Sequence, residues 1–345
     1  MKDHKALLDE AAIQGDESAS IRINELADQV LEGSRSALAQ AITLLESSRA
    51  SDTSLKAALL ERFQTTSGSA IRLAITGAPG VGKSSLIELL GLALIERGQK
   101  VAVLAIDPSS SRSGGSILGD KTRMTHLSKS AHAFIRPSPT SGVLGGVTDS
   151  TRETIMACEA AGCDWVLVET VGVGQSETTV ASLTDIVLFT TIAGSGDSLQ
   201  GIKRGILEWV DVVAVNKSDG NNTAASASFA TELAAALHLL HGSDIPPSVL
   251  QTSATMGMGV DELVTSIDAI ITDRRQSGAW DKRRVNQLTD WFNDAVSNSI
   301  RKQIKQNESL SLLKENLKIE VATGKVHPFS AAQTFVSRLF QKGEN

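Results

Sequence analysis

Eight residues, Gly77-Ala78-Pro79-Gly80-Val81-Gly82-Lys83-Ser84, match the pattern GxxxxGK[ST] and constrain this chain more than any other stretch. The run before them, Ile71 to Thr76 (IRLAIT), reads as a buried strand, and the run after them, SSLIELLGLALIERG, has helical apolar spacing and stops at Gly98. A turn in that context wraps phosphates closely. Gly77, Gly80 and Gly82 let backbone N–H groups converge on phosphate oxygens, with Ala78, Pro79, Val81 and Ser85 completing the cradle. Lys83 is expected to reach the β and γ phosphates and the Ser84 hydroxyl to ligate Mg²⁺. The bland alternative is an ordinary glycine turn, which the full motif between strand and helix outweighs.

That motif leaves ATP and GTP equally open, and Asn216-Lys217-Ser218-Asp219, after the strand-like DVVAV, separates them. In an NKxD element the Asp219 carboxylate accepts from guanine N1–H and the exocyclic amine, Asn216 contacts the N7/O6 side, and the Lys217 stem covers the ring. Adenine offers no donors at those positions, and a site built around an acceptor rejects an analogue that leaves it unpaired. Ser253 and Ala254, in QTSA after another short apolar run, are expected to close the base pocket. The alternative for NKSD is a solvated turn at a strand end.

At 345 residues, 41% hydrophobic and 21% charged, the chain has room for one α/β nucleotide domain with helical additions. A net charge of -6 without a Lys/Arg block argues against nucleic acid or an anionic membrane as partner. No apolar run reaches the roughly twenty residues that span a bilayer, and MKDHKALLDEAA lacks a signal-peptide core, so a cytoplasmic location is expected. Cys158 and Cys163 are too few and too poorly spaced for a zinc site or a disulfide framework and read as core thiols. His238 and His241 form a helical i, i+3 pair, read as a solvated face rather than a metal site.

Residues 1–65 read as a helical extension, 66–277 as the nucleotide domain and 278–345 as a helical arm. Within the middle portion IRLAIT, KVAVLAID, FIRPSP, WVLVET, IVLFTTIA, VVAVN and SVLQT alternate with helices, which implies an α/β fold with a mostly parallel sheet covered on both faces. Ligands then belong at the carboxyl ends of the strands. The arm carries Trp280, Leu288, Trp291, Phe292 and Val296 as an apolar stripe that can pack on its own domain or on a second copy, the second being favoured because a helix trailing the finished α/β domain has little core left to cover.

Mg²⁺ in such a site usually adds one or two carboxylates to the Walker serine. Asp107 and Glu169 end strands, and Asp120 lies in a glycine-rich loop; helix capping or a solvated loop is the alternative for each. Glu169 to Gly172 has the form ExxG, in which the Gly172 N–H can bond the γ-phosphate, so 172–180 reads as a switch loop. Val173 stands where many GTPases place a water-orienting glutamine, and Gln175 is two residues further on. Intrinsic hydrolysis is therefore expected to be slow and completed by a partner or a second loop. Gly194 to Gly205 supplies such a loop, with Asp197, Lys203 and Arg204, and a cation there would stabilise the transition state. A flexible polar loop is the other reading of that stretch.

Taken together, GAPGVGKSS, VLAIDPSSSRSGGSILGDKTRM, FIRPSPTSGVLGGV, WVLVETVGVGQSE, GDSLQGIKRGILEWVDVVAVNKSD and SALAQAITLLES closely resemble the MeaB-type GTPases, also called ArgK, over about residues 30–275. The arm matches only in character. The resemblance implies a SIMIBI-class P-loop GTPase, homodimeric, serving as G-protein chaperone of an adenosylcobalamin-dependent acyl-CoA mutase, most simply methylmalonyl-CoA mutase. It would gate cofactor loading and protect the mutase without itself binding cobalamin. It also implies that Lys83, Ser84, Asp107, Asp120 and Glu169 serve phosphate and metal, that Asn216 and Asp219 read guanine, and that the loop with Asp197 and Lys203 is a third switch. Many relatives have GDELQGIK where this chain has Ser198, a lost charge that touches partner contact more than chemistry.

Two rivals share the site. A nickel or cobalt metallochaperone GTPase usually carries a Cys-x-x-Cys pair or a histidine tract, and neither stands in this sequence. A small-molecule kinase would use the same Walker motif, yet one drawing on ATP gains nothing from a guanine-specific acceptor.

Overall fold

The computed structural model describes residues 20–47, 49–66, 68–107, 124–139, 144–170, 176–194, 206, 208–241 and 246–340. Its centre is a seven-stranded sheet built from β1 (Ile71–Thr76), β2 (Val101–Asp107), β3 (Ala133–Pro139), β4 (Trp165–Thr170), β5 (Ile186–Thr191), β6 (Val212–Val215) and β7 (Ser248–Gln251). The spatial order is β3-β2-β4-β1-β5-β6-β7, and every pairing is parallel. All seven apolar runs expected to be strands are strands. Continuous apolar runs such as WVLVET and IVLFTT suit a parallel sheet covered on both faces, and every residue of β4 and β5 is buried. Pro137 and Pro139 lack an N–H to donate, and their strand β3 is at the edge, where that loss is tolerated.

Helices α1 (20–31), α2 (Arg35–Leu45) and α3 (Thr53–Phe63) precede the sheet, and α2 and α3 pack on α5 (Leu144–Ala160). Ala41, Ile42, Leu45, Leu59 and Phe63 are fully buried there, and the Ser34 hydroxyl caps α2 by accepting from Ala37 N at 3.4 Å. The helix after the phosphate loop, α4 (Lys83–Glu96), buries Leu86, Ile87, Leu90 and Leu94 against the sheet. Its Gly91 is a close-approach point, since a Cβ there would stand 2.8 Å from the Leu127 side chain. Further on come α6 (Ser176–Leu183), α7 (Thr223–His241), α8 (Val260–Gln276), α9 (Ala279–Gln306), α10 (Glu308–Ala322) and α11 (Pro328–Phe340).

Two compact units divide the chain, the first ending at Gln287 and the second beginning at Leu288. The first turns of α9 belong to the first unit, where Trp280 enters the main core and only 8% of it is exposed. The apolar stripe read from the sequence is thereby split: Trp280 is core, whereas Leu288, Phe292 and Val296 are exposed. In the second unit the Asn307 side chain caps α10 by accepting from Leu310 N at 3.1 Å.

Opposite the phosphate loop, the amino ends of the strands carry an ionic lattice. Arg72 pairs with Glu159 at 2.7 Å, Arg284 Nε lies 2.6 Å from Asp185, and Arg274 pairs with Asp211. Cys158 and Cys163 are buried free thiols, and burial pushes the Cys163 thiol up to about 12. His238 is exposed. Among the described residues no helix is long and apolar enough to cross a membrane.

Candidate nucleotide site

Strand β1, flanked by β4 and β5, delivers the phosphate loop to the middle of the carboxyl edge. Gly77 has φ 143°, and a Cβ there would stand 2.0 Å from the Thr190 carbonyl oxygen, so only glycine fits. Gly82, at φ 96°, would place a Cβ 2.5 Å from Asn216 Nδ2. The loop is thus threaded between β5 and the segment after β6. The buried Lys83 ammonium donates to the carbonyls of Gly77 at 2.8 Å and Ala78 at 3.0 Å, which folds the side chain back over its own loop. Val81 is buried, whereas Pro79, Gly80 and Ser85 are exposed along the rim.

Glu169 is the penultimate residue of β4 and stands in register with Ile75 of β1. Its Oε1 accepts from the Ser84 hydroxyl at 2.8 Å, and one strand residue later Thr170 donates to Thr76 at 2.9 Å in the buried interior. The Ser84 hydroxyl and the Glu169 carboxylate form a compact pair of hard oxygen donors at the head of α4. That set fits Mg²⁺, which takes one or two protein oxygens and completes its octahedron with water and phosphate. Asp107 ends β2, next to β4, where Ile106 pairs with Thr170. Among the described residues no group of three or more His, Cys, Asp or Glu side chains is placed to hold a metal.

The corner around Asn216 and Asp219 is knit more tightly. Buried Asn216 donates from Nδ2 to Val81 O at 2.8 Å, while its Oδ1 accepts from Ala254 N at 3.1 Å and Thr252 Oγ1 at 3.3 Å. It therefore fastens the phosphate loop to the 252–254 segment, a structural task beyond the base contact expected of it. Lys217 adopts φ 56°, the single positive value among the described non-glycine residues, and its ammonium reaches Gly80 O at 2.9 Å. Its stem thereby bridges the base segment and the phosphate loop. The Ser253 hydroxyl donates to Asp219 Oδ1 at 2.7 Å and accepts from Met256 N at 3.2 Å, fixing the carboxylate that would face guanine. Gly259 lets the turn close, since a Cβ there would stand 2.1 Å from Gln251 O.

The structure therefore brings Gly77 to Ser85, Glu169, Asn216, Lys217, Asp219, Ser253 and Ala254 to one edge. Asp120, Gly172, Val173, Gln175, Asp197, Ser198, Lys203 and Arg204 lie outside the described residues, as does the Asp107 side chain. Thr190 and Thr252 also belong to this edge. Thr190 meets the loop only through its backbone oxygen, which leaves no trace in residue type, whereas Thr252 sits inside the QTSA element already quoted.

The profile of the family described as methylmalonyl Co-A mutase-associated GTPase MeaB matches residues 38–309. A probable GTPase of Mycobacterium tuberculosis is 47% identical over 313 residues, covering 90% of this chain and 93% of that protein. The mitochondrial methylmalonic aciduria type A homolog of Mus musculus is 38% identical over 322 residues, covering 90% of this chain and 78% of its own length. The crystal structure of a protein described as LAO/AO transport system kinase superposes with a TM-score of 0.73 at 33% identity, covering 92% of this chain and 97% of that one.

Proposed function

This chain belongs to the MeaB family of methylmalonyl-CoA mutase-associated GTPases and hydrolyses GTP; we propose that it is the G-protein chaperone of an adenosylcobalamin-dependent acyl-CoA mutase, methylmalonyl-CoA mutase before others. Hydrolysis would time cofactor loading and protect the mutase from inactivation. The observation that carries the reading is the family match over residues 38–309, joined to a base corner whose acceptor, Asp219, is held in place by Ser253.

Lys83 and the loop N–H groups bind the β and γ phosphates, and Ser84 with Glu169 would hold Mg²⁺, aided by Asp107 and Asp120. When bound, Mg²⁺ neutralises charge developing on the phosphate oxygens. Gly172 senses the γ-phosphate, and Val173 beside it leaves the attacking water poorly oriented, which makes unassisted turnover slow. Asp197 and Lys203 belong to a third switch that the mutase brings to bear. The protein works in the cytoplasm, binds no cobalamin, nucleic acid or membrane, and dimerises. It is organised as an extension (1–65), a GTPase domain (66–277) and an arm (278–345). Leu288, Phe292, Val296 and Ile300 recur at i, i+4 spacing on α9 and are exposed, which supports a dimer through the arm.

The test is steady-state GTP hydrolysis with and without the mutase, with ATP as control nucleotide. Slow GTP-specific turnover that rises on addition of the mutase is expected; turnover indifferent to it removes this partner. Lys203→Ala should keep GTP affinity near wild type and lose most of the stimulation, and full stimulation in that variant would exclude the assigned role. Phosphate appearing on a small acceptor would favour a kinase instead.

A further inference from the structure

Helix α6 follows the ExxG segment, and at its carboxyl end the Thr184 hydroxyl donates to Val180 O at 3.1 Å and Ala181 O at 3.4 Å. A residue remote in sequence joins this cap. Arg283, from the first turns of α9, donates from Nε to Thr184 O at 2.8 Å and from Nη2 to Ala181 O at 3.0 Å. Gln287, one turn further and buried, adds Nε2 to Thr184 O at 2.9 Å. A cation at a helix carboxyl end is favoured by the dipole, and the planar guanidinium fork suits two carbonyls at once.

The same guanidinium lies over the Trp209 ring, 5.8 Å from its centroid. Trp209 is the last ring before β6, in the stretch leading out of the loop that follows β5, and its backbone N–H bonds Ile206 O at 2.9 Å. One side chain therefore touches the far ends of both segments that lead away from the phosphate edge. Arg284 beside it anchors α9 separately, donating to Ala70 O at 2.6 Å and to Asp185 Oδ2 at 2.7 Å. Removal of Arg283 leaves that anchor standing.

We infer that Arg283 is a coupling residue: movement of α6 and of the Trp209 segment on exchange of GTP for GDP reaches α9, and the arm that it begins, through this guanidinium. The inference rests on the reading of 172–180, whose second half forms the start of α6, and of 194–205 as phosphate-sensing segments. Holding two carbonyls and one ring together fixes three elements in a single arrangement, so displacement of either nucleotide-side partner must break a bond or turn the arginine. Helix α9 contains neither proline nor glycine over Ala279–Gln306 to absorb such a displacement by kinking.

The experiment is hydrogen exchange of the full-length protein over residues 288–340, with GDP and with a non-hydrolysable GTP analogue. In the wild type the two nucleotides should give different protection there. Arg283→Ala should lose most of that difference while its affinity for each nucleotide stays within about twofold of wild type. Arg283→Lys, which keeps the charge and loses the fork, should behave like the alanine variant, and it carries the test if the alanine variant does not fold. Trp209→Leu should lose part of the difference. A difference retained in both Arg283 variants, or absent from the wild type, overturns the coupling. Neither result touches the chaperone reading, which stands or falls on stimulation of GTP turnover by the mutase.

Discussion

The two edges of the central sheet are built from different materials. At the carboxyl edge the contacts are made by left-handed glycines, hydroxyls and backbone carbonyls, and the charged groups of Lys83, Glu169, Lys217 and Asp219 are each bonded to one of these hydroxyls or carbonyls. At the amino edge they are made by full charges, with Arg72, Glu159, Asp185, Arg284, Asp211 and Arg274 interlocked. Three aspartates there share one device. Asp164, Asp185 and Asp211 each stand immediately before a strand, and their carboxylates accept from backbone N–H groups of Lys100 at 2.7 Å, Arg72 at 2.7 Å and Val187 at 2.8 Å, on the neighbouring strand or one residue before it. Charge paired with charge is thus kept a strand's length from the phosphate loop. The comparison predicts that damage to one edge alters ligand choice and damage to the other alters stability, with little crossover.

The largest effect is expected at the carboxyl edge. Asp219→Asn should lower GTP affinity on the order of 10³-fold or more and raise preference for xanthine nucleotide, because the amide supplies a donor to the second carbonyl of xanthine. Its thermal midpoint should stay near wild type. Competition binding checks this, and unchanged guanine selectivity would take Asp219 out of the base site.

Next comes the opposite edge. Arg284→Ala strands the buried Asp185 carboxylate and should cost about 3–5 kcal/mol of stability, read by denaturant unfolding, while the folded fraction binds GTP as before. Burial holds the Asp185 carboxyl above its ordinary value, against the opposing pull of Arg284 and Arg72. The folded protein then takes up this proton at a higher pH than the unfolded chain does. The contribution of this group to stability is therefore fully present below the ordinary carboxylate value and is lost as pH rises through the raised one, above which it no longer changes. Loss of Arg284 raises the value further, so the penalty in the variant should be greatest where the carboxyl is ionised in both states and smaller as the pH is lowered toward the ordinary carboxylate range. An equal penalty across that range would mean that Asp185 is not the stranded group.

The smallest effect sharpens the comparison within one edge. Ser253→Ala removes the hydroxyl that holds Asp219 but not the reader itself. It should cost about 0.5–1.5 kcal/mol of GTP binding by calorimetry and leave selectivity against xanthine intact.

The carboxyl edge was legible because its motifs are local: eight consecutive residues make the phosphate loop, and four make the corner proposed to read the base. The strands were legible as apolar runs, down to the proline-bearing edge strand. The amino edge was not, since Arg72 meets Glu159 and Asp185 across long stretches of chain, and isolated charges in sequence read as solvated surface. One signal for it was present. CDWVLV, TDIVLF and VDVVAV each place an aspartate against the start of a buried strand. Arg283 and Arg284 carried no such mark. They fall among the charges of a helix read as arm, and only Trp280, packed in the core beneath them, shows that this helix begins inside the first unit.

The position of β1 sets a timetable for biosynthesis. Its neighbours are β4 and β5, with Ile71 opposite Trp165 and Leu73 opposite Ile186, so the strand that carries the phosphate loop is made early and paired late. At about 5–20 residues per second, the ribosome takes roughly 5–20 s to supply the first partner. The base corner waits longer, until Ser253 and Ala254 have emerged to fix Asp219 and Asn216. A nascent chain thus presents its Walker residues well before the proposed base corner is complete, and on that reading tight GTP binding would require translation to have passed β7 and the sheet to have closed around β1.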